Sequence, residues 1–113
     1  MTYPTCYRCG SEVTARGTCT CKDNCCLIHG DAREVLPLLG AGSITAVVTD
    51  PPYELKFMGK RWDSTGVAFQ PETWERVAAV CKPGAMLLAF GGTRTHHRLA
   101  CAIEDAGWEI GIV

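Results

Sequence analysis

Two stretches of this chain carry residue types whose spacing could do chemistry: a run of cysteines and an acid-proline-proline-aromatic string. Six of the eight cysteines fall at Cys6, Cys9, Cys19, Cys21, Cys25 and Cys26, and only Cys81 and Cys101 lie beyond. Met1-Thr2-Tyr3-Pro4-Thr5-Cys6 lacks the apolar core of a secretory signal, so a reducing, cytoplasmic setting is expected. There, clustered cysteines favour a metal over disulfides. In Cys6-Tyr7-Arg8-Cys9-Gly10 two thiolates are spaced to grip one ion, and the glycine lets backbone N–H groups turn toward sulfur. Cys19-Thr20-Cys21 supplies a second pair, completing a tetrahedral four-cysteine zinc site of Cys6, Cys9, Cys19 and Cys21. One intervening residue is unusual for such a pair, so Cys25 is an alternative to either member. The competing expectation is free or core cysteines in a loose segment. Arg8, Arg16 and Lys22 read as solvated surface rather than DNA contacts.

The second stretch is Ala46-Val47-Val48-Thr49-Asp50-Pro51-Pro52-Tyr53. Its apolar, β-branched start predicts a buried parallel strand. The prolines stop it, since neither has an N–H to give and each restricts its predecessor. A stiff loop at the carboxyl end of a strand is where open α/β sheets bind ligands. Asp50 and Tyr53 sit on that loop.

The elements that would position these residues can be read in order. Residues 1–25 form a small cysteine-rich unit and residues 26–113 an α/β unit. Cys26-Leu27-Ile28-His29 predicts a short strand, and Ala32 to Leu39 a helix capped by Asp31 and bent or shortened by Pro37. Strand, helix and strand make a right-handed crossover. Thr73 to Cys81 predicts a helix burying Trp74, Val77, Ala78 and Cys81 on one face, and Pro71 suits its start. Lys82-Pro83-Gly84 predicts a sharp break, and Ala85 to Phe90 a second buried strand. A helix follows from Thr93 or Thr95 to about Ala106, with Gly107 ending it. Trp108 to Val113 predicts a third strand.

With a formal net charge of −1, any nucleic-acid contact must be local rather than global. The basic and aromatic stretch Glu54-Leu55-Lys56-Phe57-Met58-Gly59-Lys60-Arg61-Trp62-Asp63 suits a substrate loop in which Lys56, Lys60 and Arg61 meet phosphates and Phe57 or Trp62 stacks or wedges. Arg94, His96, His97 and Arg98 form the densest basic cluster, with phosphate contact expected at Arg94. The adjacent histidines would point different ways on a helix, which disfavours metal. No apolar run is long enough to span a membrane.

Asp-Pro-Pro-Tyr after an apolar strand resembles the catalytic motif of S-adenosylmethionine-dependent DNA amino-methyltransferases. The likeness extends to Gly30-Asp31 before a leucine-bearing helix, to Phe-Met-Gly-Lys-Arg-Trp-Asp, and to Lys-Pro-Gly before a strand ending in Gly91-Gly92. It covers about residues 26–113 and matches the circularly permuted class, of phage and prophage type, in which the catalytic motif precedes the cofactor motif. The resemblance implies a partial Rossmann-like sheet of parallel strands with flanking helices, preceded by a zinc-ribbon-like segment. It implies methyl transfer from S-adenosylmethionine to the exocyclic amine of adenine, less readily cytosine, in DNA. Asp50 and the Pro51 carbonyl would accept the amine N–H bonds, Pro52 would stiffen the loop and Tyr53 would stack on a flipped base. Asp31, Thr49 and Asp50 would border the cofactor. Asp50, where protein-glutamine methyltransferases usually carry Asn, argues against a protein substrate.

The family's aromatic-x-Gly-x-Gly motif has no counterpart, because Gly40-Ala41-Gly42 leads into a strand rather than out of one. The expectation is therefore an N-terminal portion of such an enzyme, poor in cofactor binding alone and completed by a C-terminal portion or a second chain. The alternative is a non-catalytic, zinc-bearing nucleic-acid- or protein-binding module.

Overall fold

The computed structural model describes residues 4–13, 21, 25–53 and 66–111. Expectations for Cys19, Lys56, Lys60, Arg61 and Trp62 lie outside these residues. The architecture is mixed α/β: helix α1 (Ala32–Val35) running into a 3-10 turn (Leu36–Leu38), strand β1 (Ile44–Thr49), a 3-10 turn (Val67–Phe69), helix α2 (Pro71–Val80), strand β2 (Cys81–Ala89) and helix α3 (His96–Asp105). The chain divides into two compact units, one comprising Met1–Ala46 with Ala79–Ala85 and the other Val47–Ala78 with Met86–Val113.

Among the described residues the sheet has two strands, β1 beside β2. Just past their carboxyl ends the Phe90 N–H donates to the Thr49 carbonyl at 3.1 Å. The strands run parallel, and helix α2 lies on the connection between them. In a parallel ladder that bond sets residue 50 beside residue 90, and so 48 beside 88. Val48, Met86, Leu88 and Phe90 share one face and are exposed. Val47, Thr49, Leu87 and Ala89 alternate with them and are half-buried. The expectation that both strands are buried on two faces is thus corrected: one face of each is open.

Sequence and structure part company at four other places. Cys26-Leu27-Ile28-His29 is not a strand, because its Leu27 carbonyl accepts from the Tyr7 N–H. That carbonyl is engaged by the cysteine turn rather than by a sheet. Lys82-Pro83-Gly84 does not break the chain but lies within β2. The expected stop is used one step earlier, where α2 passes directly into β2 at Val80–Cys81. Gly84 takes the left-handed conformation, φ 82°, within the strand, which an L side chain rarely adopts. Val80, not Cys81, completes the buried face of α2 with Trp74 and Val77. Residues 108–111 are not strand; the Trp108 indole N–H instead donates to the Trp74 carbonyl at 3.1 Å.

The helices follow their local chemistry. Pro37 turns the predicted Ala32–Leu39 helix into one α turn and one 3-10 turn. Pro71 opens α2, where a missing N–H costs nothing. Among the described residues of the second unit, Ala68, Trp74, Val77, Leu99, Ala102 and Ile103 are the buried apolar ones. Trp74 donates its indole N–H to the Ala68 carbonyl at 2.9 Å, so its polar edge is not stranded in this core. No described helix is long and apolar enough to cross a membrane.

Candidate functional site

The cysteine cluster is built on a tight turn. Thr5 and Glu12 form an antiparallel bridge, and the Val13 N–H donates to the Pro4 carbonyl at 2.7 Å. Inside it the Cys6 N–H donates to the Ser11 carbonyl and the Gly10 N–H to the Cys6 carbonyl, both at 2.9 Å. Gly10 closes the turn at φ 75°, a conformation open to glycine without strain. The Cys6 and Cys9 side chains are thereby presented together. Cys21 joins them: one sulfur from each of the three lies within 4.8 Å of the others. The Cys6 and Cys21 Sγ atoms are 3.7 Å apart, too far for a disulfide. That spacing matches the edge of a tetrahedron with zinc–sulfur bonds of about 2.3 Å, which is about 3.8 Å.

Burial is graded across the cluster. Cys6 is fully buried, Cys21 half-buried and Cys9 exposed. The Ser11 hydroxyl lies 2.9 Å from the Cys9 sulfur, and as a donor it would stabilise a thiolate there. Residues 25–29 border the turn. The Arg8 guanidinium reaches the Cys25 carbonyl at 3.5 Å, and the Tyr7 and His29 rings meet edge to face at 5.9 Å. Among the described residues the cluster includes Cys21 and not Cys25 or Cys26. Three cysteines held this close could bind a metal such as zinc.

The other candidate lies in the second unit, at the carboxyl end of β1. Asp50 is exposed, and Pro51, Pro52 and Tyr53 are half-buried. The loop is held at both ends by the segment that follows β2. At its start is the Phe90–Thr49 bond. At its end the Thr95 hydroxyl donates to the Tyr53 carbonyl at 2.7 Å. Gly92 is buried, and a Cβ placed on it would stand 3.4 Å from Tyr53 Cβ and Cδ2. Partial burial raises the Tyr53 phenol pKa above its usual value, and the charge and hydrogen bond of the Asp50 carboxylate raise it further.

Asp31 has a local role. Its carboxylate caps α1 by accepting from the Arg33 N–H at 2.9 Å, and it pairs with the Arg33 guanidinium at 2.7 and 3.1 Å. Arg94 is exposed on the turn before α3. His96 and His97 are exposed beside it with rings edge to face at 6.0 Å, not converging on one point. Thr95 is the residue that sequence reasoning missed. It reads as a helix cap, and its partner, 42 residues away, leaves no local signal.

No protein-family model matches the chain, no curated protein matches it, and no solved structure matches it.

Proposed function

We propose that the chain carries the catalytic loop of an S-adenosylmethionine-dependent DNA amino-methyltransferase with a Rossmann-like sheet. What supports this most is the position of the Asp50-Pro51-Pro52-Tyr53 loop: an exposed acid and a half-buried aromatic on a stiff loop at the carboxyl ends of two parallel strands. Ligands of open α/β sheets bind there. The methyl donor supplies an electrophilic sulfonium methyl. The chain's own residues orient the nucleophile: the Asp50 carboxylate and the Pro51 carbonyl accept the two N–H bonds of an exocyclic amine and direct its lone pair. Tyr53 stacks on the base once it leaves the duplex. Adenine is favoured over cytosine because the motif opens with an acid. Asp31 and Thr49 border the methyl donor, and Arg94, with Lys56, Lys60, Arg61 and Trp62, contacts the nucleic acid.

Cys6, Cys9 and Cys21, with Cys19 as the fourth ligand, hold a structural zinc. All four positions are thiolates, and a closed four-sulfur shell leaves no site for substrate, so the metal's work is folding.

The test is transfer of a labelled methyl group from S-adenosylmethionine to duplex DNA by the wild-type chain and by Asp50→Ala. Adenine-linked label that falls at least about 100-fold in Asp50→Ala, with DNA retention unchanged, is expected of lost transition-state orientation. Measurable label that is equal in the two proteins would rule the proposal out. The compact cysteine cluster favours one other reading, a zinc-bearing binding module without catalysis. It predicts DNA or protein binding that depends on zinc and is indifferent to Asp50.

A further inference from the structure

We infer that Thr95 is the positioning residue of the Asp50-Pro51-Pro52-Tyr53 loop, acting through the one hydroxyl it donates to the Tyr53 carbonyl. Its geometry stands by itself; its catalytic consequence rests on the methyltransferase reading.

The loop is hard to hold by ordinary means. Pro51 and Pro52 have no N–H, so within Asp50–Tyr53 only the two end residues can donate from the backbone. The carbonyls remain, and anything that fixes the loop through them must bring a donor. Thr95 brings one. It stands at the N-cap position of α3, where a threonine ordinarily turns its side-chain oxygen to the first-turn N–H groups. Here the side chain makes no such cap. Its backbone, at φ −122° and ψ −2°, sends the hydroxyl the other way, 2.7 Å from the Tyr53 carbonyl.

Thr95 is itself fixed. Its N–H donates to the Gly92 carbonyl at 3.2 Å, and the next residue's N–H donates to the same oxygen at 2.9 Å. Gly92 also packs beneath Tyr53. A Cβ there would meet Tyr53 Cβ, Tyr53 Cδ2 and Thr95 Oγ1, all at 3.4 Å. A single short segment, from Phe90 to Thr95, thus grips the loop at Thr49 and again at Tyr53. The two prolines keep the span between these grips stiff. The direction of the Asp50 carboxylate and the Pro51 carbonyl is set by both grips together. Thr95 touches neither base nor methyl donor in this scheme; it acts through the loop.

The experiment uses the full chain labelled with 3-fluorotyrosine, with the Tyr53 resonance assigned by Tyr53→Phe. Thr95→Val keeps the shape and removes the hydroxyl; Thr95→Ser keeps the hydroxyl. The expected result is a shifted or broadened Tyr53 fluorine resonance in Thr95→Val alone, with the Tyr3 and Tyr7 resonances unmoved and Thr95→Ser like wild type. In parallel, labelled-methyl transfer to adenine-containing duplex DNA is expected to show kcat about 10- to 100-fold lower in Thr95→Val, with KM for DNA within about twofold, since a misplacement near 1 Å costs about that much rate. Three results would overturn the inference: an unmoved Tyr53 resonance in Thr95→Val, movement of all three tyrosine resonances together, or Thr95→Ser behaving like Thr95→Val. The fluorine resonances decide the role of Thr95 whether or not the wild-type chain transfers methyl groups by itself, whereas transfer that is measurable and indifferent to Asp50→Ala would defeat the methyltransferase reading alone.

Discussion

The cysteine turn and the Asp-Pro-Pro-Tyr loop solve the same problem, holding reactive side chains still, by opposite routes. In the turn, Cys6 and Cys9 come from one tight segment whose backbone bonds, from Cys6 to Ser11 and Gly10 to Cys6, span only a few residues. What such a segment lacks is a large core: among its described residues Val13 and Cys6 are the largest fully buried side chains. A metal can supply the missing cohesion. The Asp50 loop has the reverse profile. Its own backbone is poor in donors, and it borrows rigidity from Phe90, Gly92 and Thr95, some 40 residues downstream. That segment leads into α3, whose Leu99, Ala102 and Ile103 are buried. The backbone of one turn is fixed mainly by bonds close in sequence, while the loop is fixed by residues distant in sequence.

The sharpest break of this comparison is metal removal. Stripping zinc with a chelator, or Cys6→Ser, is expected to abolish the fold of residues 4–13, because structural zinc contributes on the order of 10 kcal/mol in small domains. Hydrogen exchange would show protection lost there and kept in α2 and α3. About one zinc per chain before treatment is the companion measurement. A chain that purifies without metal and keeps protection in residues 4–13 would end the contrast.

The next test strikes the other region. Trp74→Ala removes a nearly fully buried indole that donates to the Ala68 carbonyl, and leaves in place the backbone carbonyl that accepts from the Trp108 indole. A loss of about 3–5 kcal/mol is expected in denaturant unfolding followed through the second unit. A loss under about 1 kcal/mol would mean that packing is not what holds that unit.

The smallest effect lies in alkaline solution. The folded state holds the Tyr53 phenol above its usual value, so it favours the protonated form. That contribution is complete below the unfolded value of about 10 and is lost as pH rises through the higher folded value. The Tyr53 titration, isolated by ultraviolet absorbance as wild type minus Tyr53→Phe, should have its midpoint above about 10. A midpoint at or below that value would separate Tyr53 from Asp50.

Much of the local grammar was legible. Pro37 shortened its helix, Pro71 opened one, and Gly107 closed one; each acts through its own φ preference or missing N–H, which neighbours do not change. The Cys6–Cys9 spacing, with Gly10 after it, announced a turn that gathers sulfurs. The errors share one cause. The strand expected at Cys26–His29, the break at Lys82–Gly84 and the strand at Trp108 all depended on which partner a backbone would find. Leu27 found Tyr7, and the Trp108 indole found Trp74.

The sequence by itself determined the positions of the stiff, donor-poor loop and of the sulfur-bearing turn, because proline, glycine and cysteine act within a few bonds of themselves. Only the tertiary structure decided that Cys21 joins Cys6 and Cys9, that one face of β1 and β2 stays open, and that Thr95 abandons its own helix to hold Tyr53. Each of these is a choice among partners far apart in the chain, made by packing and hydrogen-bond geometry that no local pattern encodes.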